Sequence, residues 1–421
     1  MDRNGARKWW VVALLFWAAA LNYGDRTAIT AVFPLLQSDL GMSDVALAAT
    51  GSFFLWSYAL ASPLAGYLGD RFSRTFLIAG SLFAWSAVTL LTSFAANSPQ
   101  LLGMRVALGV VEAAYMPAAV ALLAAWHGPA TRATAMAIHT AGYSAGMVGG
   151  GALAGLLGER MGWRSPLVVL GALGLLLSLA ASRFFKRLPA HSGGETCAGE
   201  NASAPPLRAI AIVFGNPTCR LILLQAMLAS TAMWVLLTWM PLYFLETFGM
   251  GLAEAGFAGT FYSQTGIIVG LLAGGRPSDA VGLKGTEYRI LLHCGLYLAA
   301  APLLLVFLWS RELYVIAAAS VCFFLIRSLG ICNEHPVLTH LLPAGLRGTG
   351  IGLSNSLNCL AGGAGVLLAG HARRAWGLPA IFASVAALYV LCSAVLLLAY
   401  LSYVRRERWQ RPTPVRTLQP R

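Results

Sequence analysis

Apolar stretches of about 20 residues, nearly free of charge, recur from one end of this 421-residue chain to the other. That is the length an α-helix needs to cross about 30 Å of hydrocarbon. Inside a bilayer each backbone N–H and C=O must be satisfied within its own segment, so the pattern calls for an all-helical membrane protein and excludes a soluble domain. Twelve spans can be read, at 9–34, 45–68, 75–95, 99–124, 133–157, 165–184, 219–245, 254–281, 288–309, 312–341, 349–370 and 377–403. With 58% hydrophobic residues, 11% charged residues and a mean hydropathy of +0.70, the composition agrees. The first span follows Arg3, Arg7 and Lys8 as a secretory signal would, but it runs on through a second helical half without a break.

Basic residues orient the spans. With the N-terminus in the cytoplasm, 21 Lys and Arg fall on the inner side and five (Arg160, Arg164, Arg311, Arg373, Arg374) on the outer side. The expected placement is therefore both termini inside. The net charge of +13 then reflects this asymmetry and a basic tail facing anionic headgroups, and needs no nucleic-acid partner. A polar run at 186–208, rich in Gly, Pro, Ser and Glu, divides the spans six and six and reads as a flexible inner linker. The expected organisation is a bundle at 1–184, a linker at 185–216, a second bundle at 217–404 and a basic tail at 405–421. The Asn201-Ala202-Ser203 sequon falls on the inner side, where it stays unmodified. Seven cysteines form no CxxC pair and no metal spacing, so neither a disulfide framework nor zinc is expected.

The halves repeat one another. GYLGDRFSR at 66–74 closes the second span and GRPSDAVGLK at 275–284 closes the eighth, with Asp70 and Asp279 in matching places. PATRATAMAI at 129–138 is echoed by PAGLRGTGIG at 343–352. Two six-helix bundles of one plan are the economical reading.

These residues carry a family resemblance. GDRFSR after the second span, the six-plus-six division and RVALGVVEAAYMPA in the fourth span resemble the major facilitator superfamily. NYGDR in the first span, Arg105 with Glu112, GWR at 162–164 and LLTWMPLYF at 236–244 are similar to its anion:cation symporter branch. That branch contains proton-coupled sugar-acid carriers of bacteria and the sialic-acid and glutamate carriers of animals. The resemblance implies a transporter in a bacterial inner membrane, Arg26 and Arg105 as contacts for a cargo carboxylate, and Asp25 and Glu112 as proton carriers. In the second copy of the loop motif Ala280 stands where the first has Arg71, which implies a weaker charge relay there.

Six charges lie near mid-membrane: Asp25, Arg26, Arg105, Glu112, Arg327 and Glu334. Each costs roughly 2.5–3.5 kcal/mol on insertion scales. Buried ion pairs seldom outperform apolar packing, so helix glue alone is a poor reason for six of them. Asp25 and Arg26 are about 100° apart on their helix, too far to pair with each other; one can face the fourth span while the other faces a cavity. Arg105 and Glu112 stand two turns apart on one face, about 10 Å along the axis, and Arg327 and Glu334 repeat that spacing in the tenth span. An arginine forks onto a carboxylate and never loses its charge, whereas a carboxyl can bind and release a proton. Arg327 is a further candidate cargo contact, and Glu334 with the adjoining His335 a further candidate proton site.

Tyr23, Tyr58, Tyr115, Gln264, Asn355 and Asn358 are candidate cavity groups for cargo hydroxyls, or else interhelical hydrogen bonds. His139, His293 and His340 read as packing or loop-proximal residues. The glycine-rich runs at 142–158 and 361–370 sit inside apolar helices, where they mean close packing and a sliding surface, not phosphate binding. Asp70, Arg71, Arg74 and Asp279 lie at the inner rim and are candidate gating contacts. The expected function is import of a small organic anion by proton symport, working as a monomer without a cofactor. Carriers of lysolipid or drugs share NYxDR or GDRFSR and are the alternative, and a membrane enzyme or receptor lacks a nucleophile, base or metal cluster to support it.

Overall fold

The computed structural model describes residues 3–187, 206–343 and 346–410 and is all-helical among them. The helices of the first half are α1 (Arg3–Ala31), α2 (Phe33–Leu40), α3 (Asp44–Arg71), α4 (Arg74–Thr92), α5 (Ser98–Glu112), α6 (Tyr115–Trp126), α7 (Pro129–Met161) and α8 (Arg164–Phe185). The second half comprises α9 (Pro206–Gly215), α10 (Pro217–Phe248), α11 (Leu252–Gly282), α12 (Thr286–Ala300), α13 (Val306–Trp309), α14 (Leu313–Ile331), α15 (Glu334–His340) and α16 (Arg347–Gln410). Part of the expected linker is thus helical, since α9 occupies 206–215; 188–205 lie outside the described residues.

Among the described residues, eight helical segments are long and apolar enough by composition to cross a membrane. One of them, in α16, holds two crossings that meet at Gly377, whose φ of 72° breaks the helix just ahead of Pro379. α1, α7 and α11 are also long enough, at 29, 33 and 31 residues, but Asn22, Asp25 and Arg26 in α1 and the many glycines of α7 and α11 dilute their hydropathy. Together these make the twelve crossings of two six-helix bundles. The even count returns the chain to the face on which α1 begins, called the terminal face below.

Two crossings are broken in the same way. The fourth is α5 and α6, interrupted after Glu112 with Pro117 in the following turn; the tenth is α14 and α15, interrupted before Glu334 with Pro336 close behind. Proline has no N–H for the carbonyl four residues back, which frees Ala113 and Cys332 respectively. Each break therefore stands beside a buried glutamate. A 3₁₀ stretch at Ala301–Leu305 around Pro302 joins α12 to α13 within the ninth crossing.

The glycine stripe of α7 explains how the bundles meet. Gly150 packs on Gly24 of α1 so closely that a Cβ there would overlap the Gly24 backbone, and Gly151 packs in the same manner on Gly256 of α11. α7 thus touches its own bundle on one side and the other bundle on the next. Hydrogen bonds that join the bundles are found between mid-membrane and the face opposite the termini. Ser52 Oγ and Trp56 Nε1 of α3 donate to the carbonyls of Gly363 and Leu360 at 2.7 and 3.0 Å, and Ser144 Oγ donates to Gln264 Oε1 at 2.9 Å. On the opposite face Arg373 bridges Asp44 of the first bundle and Glu246 of the second, with its guanidinium 5.5 Å from the Trp239 ring. Beside it, Asp39 Oδ2 accepts from Trp163 Nε1 (2.7 Å) and Arg164 (2.6 Å), and these bonds hold the Asp39 carboxyl below the ordinary carboxylate range.

Candidate functional site

One face of α1 builds the site. Tyr23, Arg26, Thr27 and Thr30 follow each other at helical spacing and all line a cavity at the junction of α1, α3, α5, α7 and α10. Across from them stand Gly51, Phe54 and Leu55 of α3, Arg105 of α5, Met147 of α7 and Trp234, Leu237 and Thr238 of α10. The cavity measures about 30 Å³, room for about two waters. A ligand larger than that does not fit the cavity as it stands.

The two arginines differ in their partners. Arg26 donates from Nε and Nη2 to the same oxygen of Glu112, Oε2, at 3.0 and 2.8 Å, and from Nη2 to Asn22 Oδ1 at 3.1 Å. Its guanidinium lies 4.5 Å from the centroid of Tyr23, 4.8 Å from Phe54 and 5.4 Å from Tyr58, an aromatic cage that favours a cation. Arg105 is only 4% exposed, yet it makes no ion pair among the described residues. Its Nε donates to the Thr50 carbonyl at 3.1 Å, its guanidinium lies 5.0 Å from the Phe54 ring, and the side chain reaches the cavity wall. A buried guanidinium without a carboxylate has N–H donors ready for an anionic ligand.

Asp25 differs from expectation in its partner. It accepts from Thr89 Oγ1 of α4 at 2.9 Å, while its Oδ1 has no hydrogen bond. The angle of 100° between neighbouring residues sends Arg26 toward both the cavity and Glu112 and leaves Asp25 to the third crossing. Glu112 Oε1 is likewise buried without a partner. The site therefore holds two carboxyl oxygens with unused hydrogen-bonding capacity close to two arginines.

Arg327 and Glu334 are buried elsewhere. They do not line the cavity but face into the second bundle, where Arg327 approaches Tyr297 of α12 and Tyr389 of α16, and Glu334 approaches Gln225 of α10. The rings of His293, Tyr297 and Tyr389, each edge-on to the next, complete this cluster. His335 beside Glu334 is exposed. The seven-residue spacing does not run along one continuous helix: the break between α14 and α15 separates Arg327 from Glu334, and both stand near Tyr297 and Tyr389.

Of the other candidates, Tyr23 lines the cavity and Tyr58 stands behind it in the aromatic cage. Gln264 lies next to the cavity, bonded to Ser144 and Met147 across the bundle junction. Asn355 is exposed, and Asn358 is half-buried, its carbonyl accepting from Ser230. Neither lines the cavity. At the terminal face, Arg74 Nη1 reaches the Ala121 carbonyl at 3.4 Å and Asp279 pairs with Arg289 at 3.2 Å. The side chains of Asp70 and Arg71 lie outside the described residues. Thr27, Thr30, Trp234 and Thr238 were not anticipated. The first two continue the 23–26 stripe by one turn and were legible; Trp234 and Thr238 carry no signal that separates them from packing residues of α10.

The comparisons with known proteins agree with this geometry. The chain is 27% identical over 344 residues to the probable galactarate/D-glucarate transporter of Bacillus subtilis strain 168, covering 75% of each. It is 25% identical over 434 residues to the D-galactonate transporter of Escherichia coli O6:H1, covering 96% of each. Among solved structures it resembles a bacterial homolog of the human lysosomal transporter Spinster, in an inward-facing and unoccupied conformation, with a TM-score of 0.79 at 20% identity over 97% of this chain and 99% of that one. At that identity the likeness concerns the fold. The model of the Major Facilitator Superfamily matches residues 15–366, and with its twelve crossings and inter-bundle cavity the chain belongs to that superfamily, as a multi-pass membrane transporter rather than an enzyme.

Proposed function

We propose that the protein carries a small organic anion, of the sugar-acid class, across a bacterial inner membrane by proton symport with alternating access. The observation that carries this reading is Arg105, a buried cation with no carboxylate partner, on the wall of a cavity between the bundles. Relatives named for galactarate, D-glucarate and D-galactonate support the cargo class. Threonine and tyrosine hydroxyls at 23, 27, 30 and 238 suit the hydroxyls of such an anion, and Gln264 stands close enough to join them.

Charge accounting suggests the coupling. Arg26 and Glu112 neutralise each other, so with Asp25 protonated the site has one positive charge, on Arg105. A cargo carboxylate takes that charge. Protonation of Glu112 frees Arg26 for a second set of carboxylate bonds, and loss of the proton restores the pair and expels the cargo. Glu334, with His335 beside it, is a second candidate proton carrier, and Arg327 is better suited to holding Glu334 than to touching cargo. The positive-inside rule makes the terminal face cytoplasmic, so contacts on the opposite face close the outside. Asp70, Arg71, Arg74 and Asp279 would gate the cytoplasmic rim. The domain division at 185–216 follows, with each bundle moving as a unit and the protein acting as a monomer.

The test is uptake of labelled galactonate or glucarate into proteoliposomes under an imposed pH gradient, with a lysophospholipid as the competing cargo. Sugar-acid accumulation lost in Arg105→Ala supports the reading. Lysophospholipid movement that is indifferent to Arg105 would replace it with a lipid-carrier function.

A further inference from the structure

A chain of hydrogen bonds runs behind the cargo site through His139, a residue that the cavity itself does not include. Tyr115 of α6 donates its hydroxyl proton to the Leu15 carbonyl at 3.0 Å, an atom that can only accept. The Tyr115 oxygen also lies 3.0 Å from His139 Nε2. Having given its one proton to Leu15, it must accept there, which places the hydrogen of the neutral imidazole on Nε2. Nδ1 then carries the lone pair. Tyr143, one turn further along α7, has its hydroxyl 3.1 Å from Nδ1 and 2.7 Å from the Met116 sulfur. One hydroxyl proton cannot serve both, and the imidazole nitrogen is the stronger acceptor. The order is therefore Tyr143 to His139 to Tyr115 to Leu15, each donating to the next.

The far end of this chain is the site. The Tyr143 ring lies 4.6 Å from the Tyr23 ring at 31°, and Tyr23 lies 4.5 Å from the Arg26 guanidinium. His139 is 1% exposed and Tyr115 2%, with Trp85 edge-on to Tyr115 at 5.1 Å, so the anchored end is packed into the core of the first bundle. Tyr143, by contrast, is half-buried, held by its hydroxyl and by ring contacts with His139 at 4.9 Å and Tyr23 at 4.6 Å.

We propose that His139 is a positioning residue: through Tyr143 it holds Tyr23 against Arg26 and so sets the affinity of the site for the cargo anion. The proposal rests on the cargo reading of Arg26 given above. A helix-packing role alone would require only a residue of suitable volume at 139. A positioning role requires an acceptor at the place of Nδ1 and a hydroxyl on Tyr143. Asparagine presents its amide oxygen near the Nδ1 place, whereas glutamine reaches toward Nε2.

The test is binding and transport of labelled galactonate by purified and reconstituted wild type, His139→Asn, His139→Gln, Tyr143→Phe and His139→Gln/Tyr143→Phe. Loss of one net hydrogen bond corresponds to roughly a three- to tenfold weaker Kd. Tyr143→Phe and His139→Gln should each show that loss with the maximal transport rate retained, His139→Asn should bind like wild type, and the double variant should be no weaker than either single one. Additive losses in the double variant, or equal affinity in His139→Asn and His139→Gln, would overturn the proposal. If the wild type binds no sugar acid at all, the cargo reading fails instead, an outcome separate from any result at 139.

Discussion

Replacing Glu112 by Gln tests how the buried ion pair controls cargo affinity. Glu112 Oε2 receives two hydrogen bonds from Arg26, at 3.0 and 2.8 Å, and the Glu112 side chain is fully excluded from solvent. Opposite unit charges 2.8 Å apart attract by about 6 kcal/mol at an effective dielectric near 20. Most of that is offset by the desolvation of both ions. What remains is the difference between hydrogen bonds to a charged and to a neutral acceptor, about 1–1.5 kcal/mol. Glutamine keeps the shape and one acceptor oxygen but loses the charge, so it competes with an incoming carboxylate for Arg26 less well by that amount. The galactonate Kd measured at alkaline pH should therefore tighten roughly tenfold in Glu112→Gln. Wild-type affinity should weaken as pH rises, because deprotonated Glu112 reclaims Arg26, and the variant should lose that component of the pH dependence. Isothermal titration of the detergent-purified protein between pH 5.5 and 8.5 reads both effects. A variant that binds more weakly than wild type at alkaline pH, with an unchanged pH profile, would refute the competition between Glu112 and cargo.

Three further outcomes follow from the same contacts. Arg373→Ala removes the bridge between Asp44 and Glu246 on the face opposite the termini; a cysteine placed at Ala48, which is buried in wild type, should then react faster with a maleimide added from that face, and unchanged reactivity would deny the bridge a closing role. Gly150→Leu forces a side chain into the Gly24 backbone, so the thermal midpoint should fall by the equivalent of about 1–3 kcal/mol, read by fluorescence-detected size exclusion; a midpoint equal to wild type would mean that α1 and α7 are not packed this closely. The hydrogen bonds from Trp163 and Arg164 hold the Asp39 carboxyl low, so their stabilisation is complete above the ordinary carboxylate value of about 3.9 and disappears as pH falls through the lower folded value. Wild type should lose more thermal stability on that acid descent than Asp39→Asn, and parallel curves would contradict the link.

Much of the fold was legible because its determinants are local. Span length and the paired loop motifs depend on residues within one segment. Helical spacing alone relates Arg26 to Tyr23 along α1 and Arg105 to Glu112 along α5. It failed where rotation of one helix against another decides. Asp25 meets Thr89 of α4, and Arg327 faces α12 and α16, because the tilt and rotation of each crossing are set by partners such as Gly24 against Gly150. His139 read as a packing residue, since nothing in its own segment shows that Tyr115 comes within 3.0 Å of its ring.

Proton coupling through Glu112 is tested by the simultaneous recording of galactonate entry and lumenal pH in proteoliposomes with no imposed gradient. Inward galactonate driven by its own concentration should acidify the lumen in wild type and leave lumenal pH unchanged in Glu112→Gln, while both forms exchange labelled for unlabelled galactonate. Galactonate entry in wild type without a change in lumenal pH, or equal acidification by the two forms, would contradict proton coupling through Glu112.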